Sequence, residues 1–213
     1  MTKFYHSLTF DFSVEARNWI LDRYAGRLEG NIGHNTDLTQ YAPQAQAEWQ
    51  NSIVAHELND YLSLYGVDTN YNGINVFLCT LGNPDPHIDT KSDISGQVYK
   101  IKTRFNTMIL GNPSDPIAWW GSFTYDDPRI EETKFIGPDG QEYINKSVPG
   151  GDTQGRYEFL GAPDHVARNV YTPSAFVRTD CAHTVHFNPG PRLIVTVALN
   201  KTIEELLECA GVS

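Results

Sequence analysis

Residues 175–199 read AFVRTDCAHTVHFNPGPRLIVTVAL. Apolar, β-branched and aromatic residues fill both ends of this stretch, and the turn residues Asn188-Pro189-Gly190-Pro191 interrupt it. It therefore predicts two strands, residues 175–187 and residues 192–199. Side chains alternate between the two faces of a strand, so the second strand has one wholly apolar face, formed by Leu193, Val195, Val197 and Leu199. We expect that face to pack against another layer and Arg192 to line the interior of a barrel with Ile194 and Thr196.

The rest of the chain predicts more strands, preceded by helices. Residues 74–79 and 100–110 have strand composition, and short apolar pieces at 118–123, 133–136 and 156–160 lie among glycines and prolines. Upstream, helical periodicity predicts one helix from Ser13 to Gly30 and another from Pro43 to Gly66. A capping box at Thr202 and Glu205 predicts a short C-terminal helix.

These elements predict a mainly β fold with flanking helices (α+β) in a single domain, residues 1–213. Residues 1–72 would be a mainly helical buttress, residues 73–200 a β-sandwich or barrel, and residues 201–213 the last helix. A length of 213 residues suits one domain with a real core.

Composition and charge exclude several classes of protein. The formal charge is -10, from 26 acidic and 16 basic residues, which argues against general nucleic-acid binding. No apolar run approaches the roughly 20 residues that span a bilayer, so we expect no membrane association and a soluble, intracellular, cytoplasmic protein. Three scattered cysteines without a C-x-x-C pair predict neither a disulfide framework nor structural zinc.

A candidate metal site begins at His87-Ile88-Asp89. The neighbouring prolines Pro84 and Pro86 favour an extended backbone, in which residues two apart project from the same face. One imidazole and one carboxylate would then face a divalent metal together, although an ordinary loop histidine beside a solvated aspartate gives the same pattern.

A second histidine on the strand that precedes Arg192 would complete the site. Two histidines and one carboxylate leave three metal positions open and are diagnostic of non-haem Fe(II) oxygenases. His183 and His186 compete for this role and, being three apart on one strand, face opposite ways. The open positions could take a 2-oxo acid and dioxygen, and Arg192 suits the far carboxylate of that acid because its planar fork pairs a carboxylate with two hydrogen bonds.

In order and spacing, His87-Ile88-Asp89, His183-Thr184-Val185 and Arg192 resemble the 2-oxoglutarate and Fe(II)-dependent oxygenases, and residues 176–199 look most like the prolyl-hydroxylase branch. The resemblance covers about residues 74–199. It implies a double-stranded β-helix (jelly roll), with His87, Asp89 and His183 as ligands of catalytic Fe(II) and Arg192 as the 2-oxoglutarate-binding residue.

The same resemblance implies an activity and a second co-substrate contact. The family uses O2 and 2-oxoglutarate to hydroxylate a substrate, here a peptide side chain, an amino acid or a small metabolite, and releases succinate and CO2. The residue two after the arginine is Ile194, where some branches carry serine. The nearest counterparts of the branch's co-substrate tyrosine are Thr107 and Met108, of which Thr107 is our candidate.

Two other classes of function fit the same residues. One is a non-catalytic jelly-roll binding or structural protein. The other keeps the metal without the oxo acid, as in a cupin-like metalloenzyme or a metal-dependent hydrolase. Arg192 discriminates between them, because a buried arginine beside a metal is costly unless an anion uses it.

Overall fold

The computed structural model describes residues 3–24, 36–37, 43–69, 74–79, 85–92, 98–112, 115–136, 142–167, 173–186 and 190–212. The described helices are α1 Val14–Tyr24, α2 Pro43–Gln50, α3 Ile53–Ser63, α4 Thr153–Leu160 and α5 Ile203–Cys209. The described strands are β1 Tyr5–Leu8, β2 Thr36–Asp37, β3 Ile74–Cys79, β4 Thr90–Ser92, β5 Val98–Lys100, β6 Thr103–Leu110, β7 Ile117–Thr124, β8 Glu131–Ile136, β9 Glu142–Ser147, β10 His165–Ala167, β11 Ser174–Arg178, β12 Cys181–Val185 and β13 Arg192–Leu199. The predicted mainly β fold with flanking helices is confirmed.

Two antiparallel sheets form the body of the fold. The larger sheet has the order β1-β11-β6-β13-β3-β2 and the smaller one has the order β10-β7-β12. His87 adds an antiparallel bridge to His183 of β12. Two separate hairpins, β4 with β5 and β8 with β9, complete the described strands.

The pairing is nested along the chain. β3 pairs with β13, His87 with β12, β6 with β11, and β7 with β10. In chain order, the first of these segments (β3) pairs with the last (β13), and each following segment pairs with the one before the previous partner, until β7 pairs with β10. A long antiparallel hairpin folded over itself into two sheets in this way is a jelly roll, as predicted.

The apolar face of β13 packs under the helices. Leu193, Val195, Val197 and Leu199 are all buried in one core cluster with residues of α1, α3 and α5. This cluster binds the helices to the outer face of the larger sheet, so the inner face is left for the site. The predicted orientation of β13 is confirmed.

The stretch predicted as one strand over residues 175–187 is two strands, β11 and β12, which lie in different sheets. The chain turns at Thr179 and Asp180, whose backbones bond to other segments: Thr179 N–H donates to the Lys102 carbonyl (3.0 Å) and the Asp180 carbonyl accepts from Tyr125 N–H (3.0 Å). The corner falls on the polar residues Arg178-Thr179-Asp180 but contains no glycine or proline, so the sequence on both sides of it was predicted as one strand. Phe187 lies outside the described residues.

Three other elements differ from the prediction. Residues 43–66 form two helices, because Ser52 caps α3 by accepting from Ala55 N–H (3.2 Å). Residues 156–160, predicted as a strand piece, belong to α4, which is capped by Asp152. The N-terminal third also contains strands, since β1 and β2 extend the larger sheet at its two edges. None of the described helices is both long and apolar enough to cross a membrane.

Candidate metal centre and adjoining pocket

The two histidines meet because their backbones pair directly. His87 N–H donates to the His183 carbonyl at 3.0 Å, and His183 N–H donates to the His87 carbonyl at 2.9 Å. Directly opposed residues of an antiparallel pair project from the same face of the sheet. The imidazole centroids consequently lie 4.5 Å apart.

Asp89 joins them from the same extended segment. Its N–H donates to the Thr179 carbonyl (3.1 Å), which ties the segment to the corner between β11 and β12. Ile88 points the other way and is buried in the outer core with Trp120 and Ala182. Asp89 therefore faces the same side as His87, as predicted, and its Oδ1 lies 3.6 Å from His87 Nε2.

The three side chains form a group that could hold a metal ion. One ligand atom from each of His87, Asp89 and His183 lies within 4.8 Å of the others. An octahedral ion with bonds of about 2.1 Å separates neighbouring ligands by about 3 Å, so modest side-chain movements would close the site. Two imidazoles and one carboxylate suit a divalent transition metal with open positions.

Hydrogen bonds to the backbone orient both rings. His87 Nδ1 donates to the Asp85 carbonyl at 2.7 Å, and His183 Nδ1 donates to the Cys181 carbonyl at 2.9 Å. A carbonyl oxygen only accepts, so each Nδ1 carries a proton, and in the neutral ring Nε2 is the nitrogen that can bind a metal, as in metal-ligating histidines generally.

The protonation states also suit a metal. Burial, together with the nearby His87, lowers the pKa of His183 to about 4, so its imidazole is neutral at pH 7. Burial alone would raise the pKa of Asp89, but Arg104 and the two imidazoles outweigh it and hold that pKa at about 2. A neutral imidazole and an ionised carboxylate are the forms that bind a metal.

Arg104 of β6 holds the Asp89 carboxylate. Its Nε donates to Asp89 Oδ2, and both side chains are nearly buried, at 13% and 11% exposure. The guanidinium also lies over the Phe77 ring, 5.1 Å from the centroid. One oxygen of Asp89 is thus committed to Arg104 and the other faces the histidines.

A pocket adjoins this centre between the two sheets. Arg192 and Ile194 line it from β13, and Asn106 and Met108 line it from β6. The remaining lining residues are Tyr5, Asp115, Ile117, Pro173, Ala175, Val177 and Val185. Val185 follows His183 by two residues on β12, and Asn106 follows Arg104 by two on β6. The pocket therefore continues along the same strand faces that carry the metal site.

Arg192 brings positive charge into this pocket. It is 9% exposed, and burial lowers its pKa to about 10, which leaves it protonated at pH 7. The nearby charge of Asp115 raises the pKa of Arg192 and so opposes the effect of burial. Burial raises the pKa of Asp115 itself. The pocket thus offers a buried guanidinium with a carboxylate as its neighbour.

Thr107, the predicted second contact for 2-oxoglutarate, is not among the residues that line the pocket. It lies on the opposite face of β6 from Asn106 and Met108, is fully buried, and accepts a hydrogen bond from Ser174 Oγ at 2.6 Å. Strand alternation is the reason: an odd-numbered residue of β6 faces the helices, and an even-numbered one faces the pocket.

His186, the competitor of His183, points away from the metal centre. Its ring stacks with Tyr157 of α4 at 6.3 Å, on the outer side of the smaller sheet. Of the two histidines, the structure brings only His183 to His87 and Asp89.

Sequence reasoning missed Arg104, Asn106 and Tyr5. The alternation of Arg104, Asn106 and Met108 with the apolar Phe105 and Ile109 was a usable signal, since it predicts a polar inner face for β6. Tyr5 had no comparable signal, because only the pairing of β1 with β11 brings the N-terminal segment to the pocket.

No protein-family model and no curated protein matches the chain. Among solved structures it is similar to the viral collagen prolyl hydroxylase vCPH of Paramecium Bursaria Chlorella virus-1 in its 2OG complex, with 10% identity over 92% of this chain and 94% of that one and a TM-score of 0.39. It is also similar to HygX of Streptomyces hygroscopicus with nickel and 2-oxoglutarate bound, with 9% identity over 92% of this chain and 82% of that one and a TM-score of 0.43. A third similar structure is a Pseudomonas putida prolyl-4-hydroxylase, with 11% identity over 93% of this chain and 93% of that one and a TM-score of 0.38.

Proposed function

We propose that this protein is an Fe(II)- and 2-oxoglutarate-dependent dioxygenase that hydroxylates a small-molecule or peptide substrate and releases succinate and CO2. The observation that carries the proposal is the convergence of His87, Asp89 and His183 beside a pocket that contains the buried Arg192. A metal site alone would fit several enzyme classes. The guanidinium next to it adds a place for an anionic co-substrate.

The residues of the centre would hold the metal by His87 Nε2, His183 Nε2 and Asp89 Oδ1. Fe(II) in such a site supplies the activation of dioxygen, a reaction that amino-acid side chains cannot perform. The chain contributes imidazoles whose Nδ1 atoms bond to backbone carbonyls, and Arg104 holds the second oxygen of Asp89. His87 is the most exposed of the three, at 35%, so a metal held there would be reached from its side.

The pocket would orient the co-substrate. Arg192 would pair with the far carboxylate of 2-oxoglutarate, and the oxo-acid end would then extend along the strand faces toward the metal. Apolar neighbours such as Ile194, Met108 and Val185 keep this path poor in water, which strengthens the ionic contact. Asp115 lies beside the same guanidinium, so a bound carboxylate must share or displace that interaction.

The decisive experiment is anaerobic addition of Fe(II) and 2-oxoglutarate to the metal-free protein. We expect the weak visible charge-transfer absorption of an Fe(II) chelate of a 2-oxo acid. The band should need both components and should be absent from Asp89→Ala, which lacks a ligand, while the outward-facing His186→Ala should retain it.

Two other results would point elsewhere. Metal binding without the band would indicate a metalloenzyme that does not use 2-oxoglutarate. Failure of Fe(II), Co(II) and Ni(II) all to bind would favour a non-catalytic jelly-roll protein.

A further inference from the structure

Asp85, two residues before His87, contacts helix α4 through its side chain. Its Oδ1 accepts a hydrogen bond from Thr153 Oγ1, and its Oδ2 accepts one from Arg156 Nη1 at 3.1 Å. Thr153 and Arg156 are three residues apart in α4, so they lie on the same side of the helix. One helix therefore holds both oxygens of the Asp85 carboxylate.

The main chain of Asp85 holds the His87 ring. The Asp85 carbonyl accepts a hydrogen bond from His87 Nδ1 at 2.7 Å. Pro86 follows Asp85, and a residue before proline is confined to extended backbone because the proline ring clashes with it in the helical region. The direction of the Asp85 carbonyl is thus closely tied to the position of the Asp85 side chain. A contact that fixes the carboxylate also fixes the acceptor of the His87 ring.

Helix α4 is itself attached to the sheet that carries His183. Leu160, the last residue of the helix, is buried in one core cluster with Ile88 and Trp120. Trp120 Nε1 also donates to the carbonyl of Gly161, the residue that caps the helix, at 2.9 Å. Trp120 belongs to β7, which pairs with β12. The helix is therefore held by the strand pair that positions His183.

We propose that the ion pair between Asp85 and Arg156 positions His87 for metal binding, so that α4 supports the metal centre from the outer side of the smaller sheet. The inference rests on the metal site of the proposed function. Neither residue belongs to the ligand group, and both act through the Nδ1 contact that orients the His87 ring. His87 depends on such support more than His183 does, because His87 is 35% exposed whereas His183 is buried.

The test is calorimetric titration of the metal-free protein with Co(II). Arg156→Met should weaken Co(II) binding about tenfold, the lower end of the loss that follows removal of a partner of a metal ligand. Asp85→Ala should cause at least as large a loss, and adding Arg156→Met to it should cause no further one, since the arginine acts through Asp85. Arg156→Lys keeps the charge and should restore part of the affinity. The ion pair is partly exposed, so we expect all these variants to fold.

Gln154→Met is the matched control. It also breaks a side-chain contact of α4, the hydrogen bond from Gln154 Nε2 to Glu158 Oε1 at 2.8 Å, but this contact lies on the exposed side of the helix. The variant should bind Co(II) as the parent does.

Proton NMR of the Co(II)-loaded protein separates positioning from a general loss of stability. The parent should show two exchangeable imidazole N–H signals shifted far outside the usual range, one from each ligating ring. Arg156→Met should speed exchange with D2O for the His87 proton, whose acceptor it loosens, and leave the buried His183 proton as slow as in the parent. Faster exchange of both protons by the same factor would mean that the variant only loosens the fold.

The outcomes also separate this inference from the proposed function. If the parent binds Co(II) and Arg156→Met binds it equally well, or if the full loss in Arg156→Met persists beside Asp85→Ala, the ion pair does not position His87 and the metal site still stands. If the parent does not bind Co(II), the metal site is wrong and this inference is overturned with it.

Discussion

Arg104 and Asp89 form a nearly buried ion pair in which Nε of the arginine donates to Oδ2, while Oδ1 of the same carboxylate lies 3.6 Å from His87 Nε2. The carboxylate is thus divided between a protein cation and the metal position. Arg104 comes from β6 and Asp89 from the segment bridged to β12, so the pair also links the two sheets.

Breaking this pair should destabilise the metal-free protein. Arg104→Met leaves Asp89 charged and nearly buried, and we expect a loss of roughly 2–4 kcal/mol in the free energy of unfolding. Adding Asp89→Asn should recover part of that loss, because the uncompensated charge is then gone. Urea unfolding of the double-mutant cycle measures the coupling.

The matched control for this cycle is Arg23→Met, which breaks an exposed pair with Glu48 and should cost less than about 1 kcal/mol. If Arg104→Met and Arg23→Met lose the same free energy of unfolding, the Arg104–Asp89 pair stabilises the fold no more than an exposed ion pair does.

The stability of the metal-free protein should depend on pH through His183. Its pKa is about 4 in the folded chain against 6.5 when unperturbed, so between these values the unfolded chain binds a proton that the folded chain does not. Above pH 6.5 the group adds no pH dependence; as the pH falls from 6.5 to about 4, it should remove about 3 kcal/mol. Urea unfolding with a chelator at pH 7.5, 6 and 5 measures the slope, and His183→Gln should flatten it. An unchanged slope in that variant would assign the dependence to other groups.

Metal binding should distinguish the two late histidines. His183→Gln should weaken Co(II) binding by more than about a hundredfold, because loss of a residue that only hydrogen-bonds to a metal ligand already lowers metal affinity about ten- to a hundredfold. His186→Gln should bind as the parent does, since that ring packs on Tyr157 outside the centre. Calorimetric titration compares them; a larger loss in the His186 variant would refute the assignment of His183.

Arg192 should dominate the affinity for the oxo acid. Arg192→Met should cost on the order of 2–5 kcal/mol in 2-oxoglutarate binding, because the contact is desolvated, and Arg192→Lys should restore only part of it. Titration of Ni(II)-loaded protein provides the measurement. Arg178→Lys, which alters an arginine paired with Asp180 outside the pocket, is the control. Parent-like binding by Arg192→Met would remove the basis for an oxo-acid co-substrate.

Local patterns were sufficient for much of this protein. The alternation of side chains along β13 predicted which face packs against the helices and that Arg192 points inward. Successive side chains of a strand face opposite sides, so once the apolar face is placed against the core, the direction of every other side chain follows. The spacing of His87 and Asp89 likewise predicted their shared face, and the spacing of His183 and His186 predicted that only one of them could join it.

Other features depended on contacts between segments that are distant in the chain. The polar residues Arg178-Thr179-Asp180 mark the corner only weakly in the sequence, because the hydrogen bonds that fix it come from residues more than 50 positions away. Thr107 was assigned by likeness to a family strand, and the register of β6 turned it to the helix side. Arg104 reaches Asp89 and Tyr5 reaches the pocket only because sheet pairing sets which strands are neighbours. Sequence alone thus determined which residues share a strand face, since that is a property of the local backbone. The tertiary structure decided which faces meet, because strand pairing is a property of the whole chain.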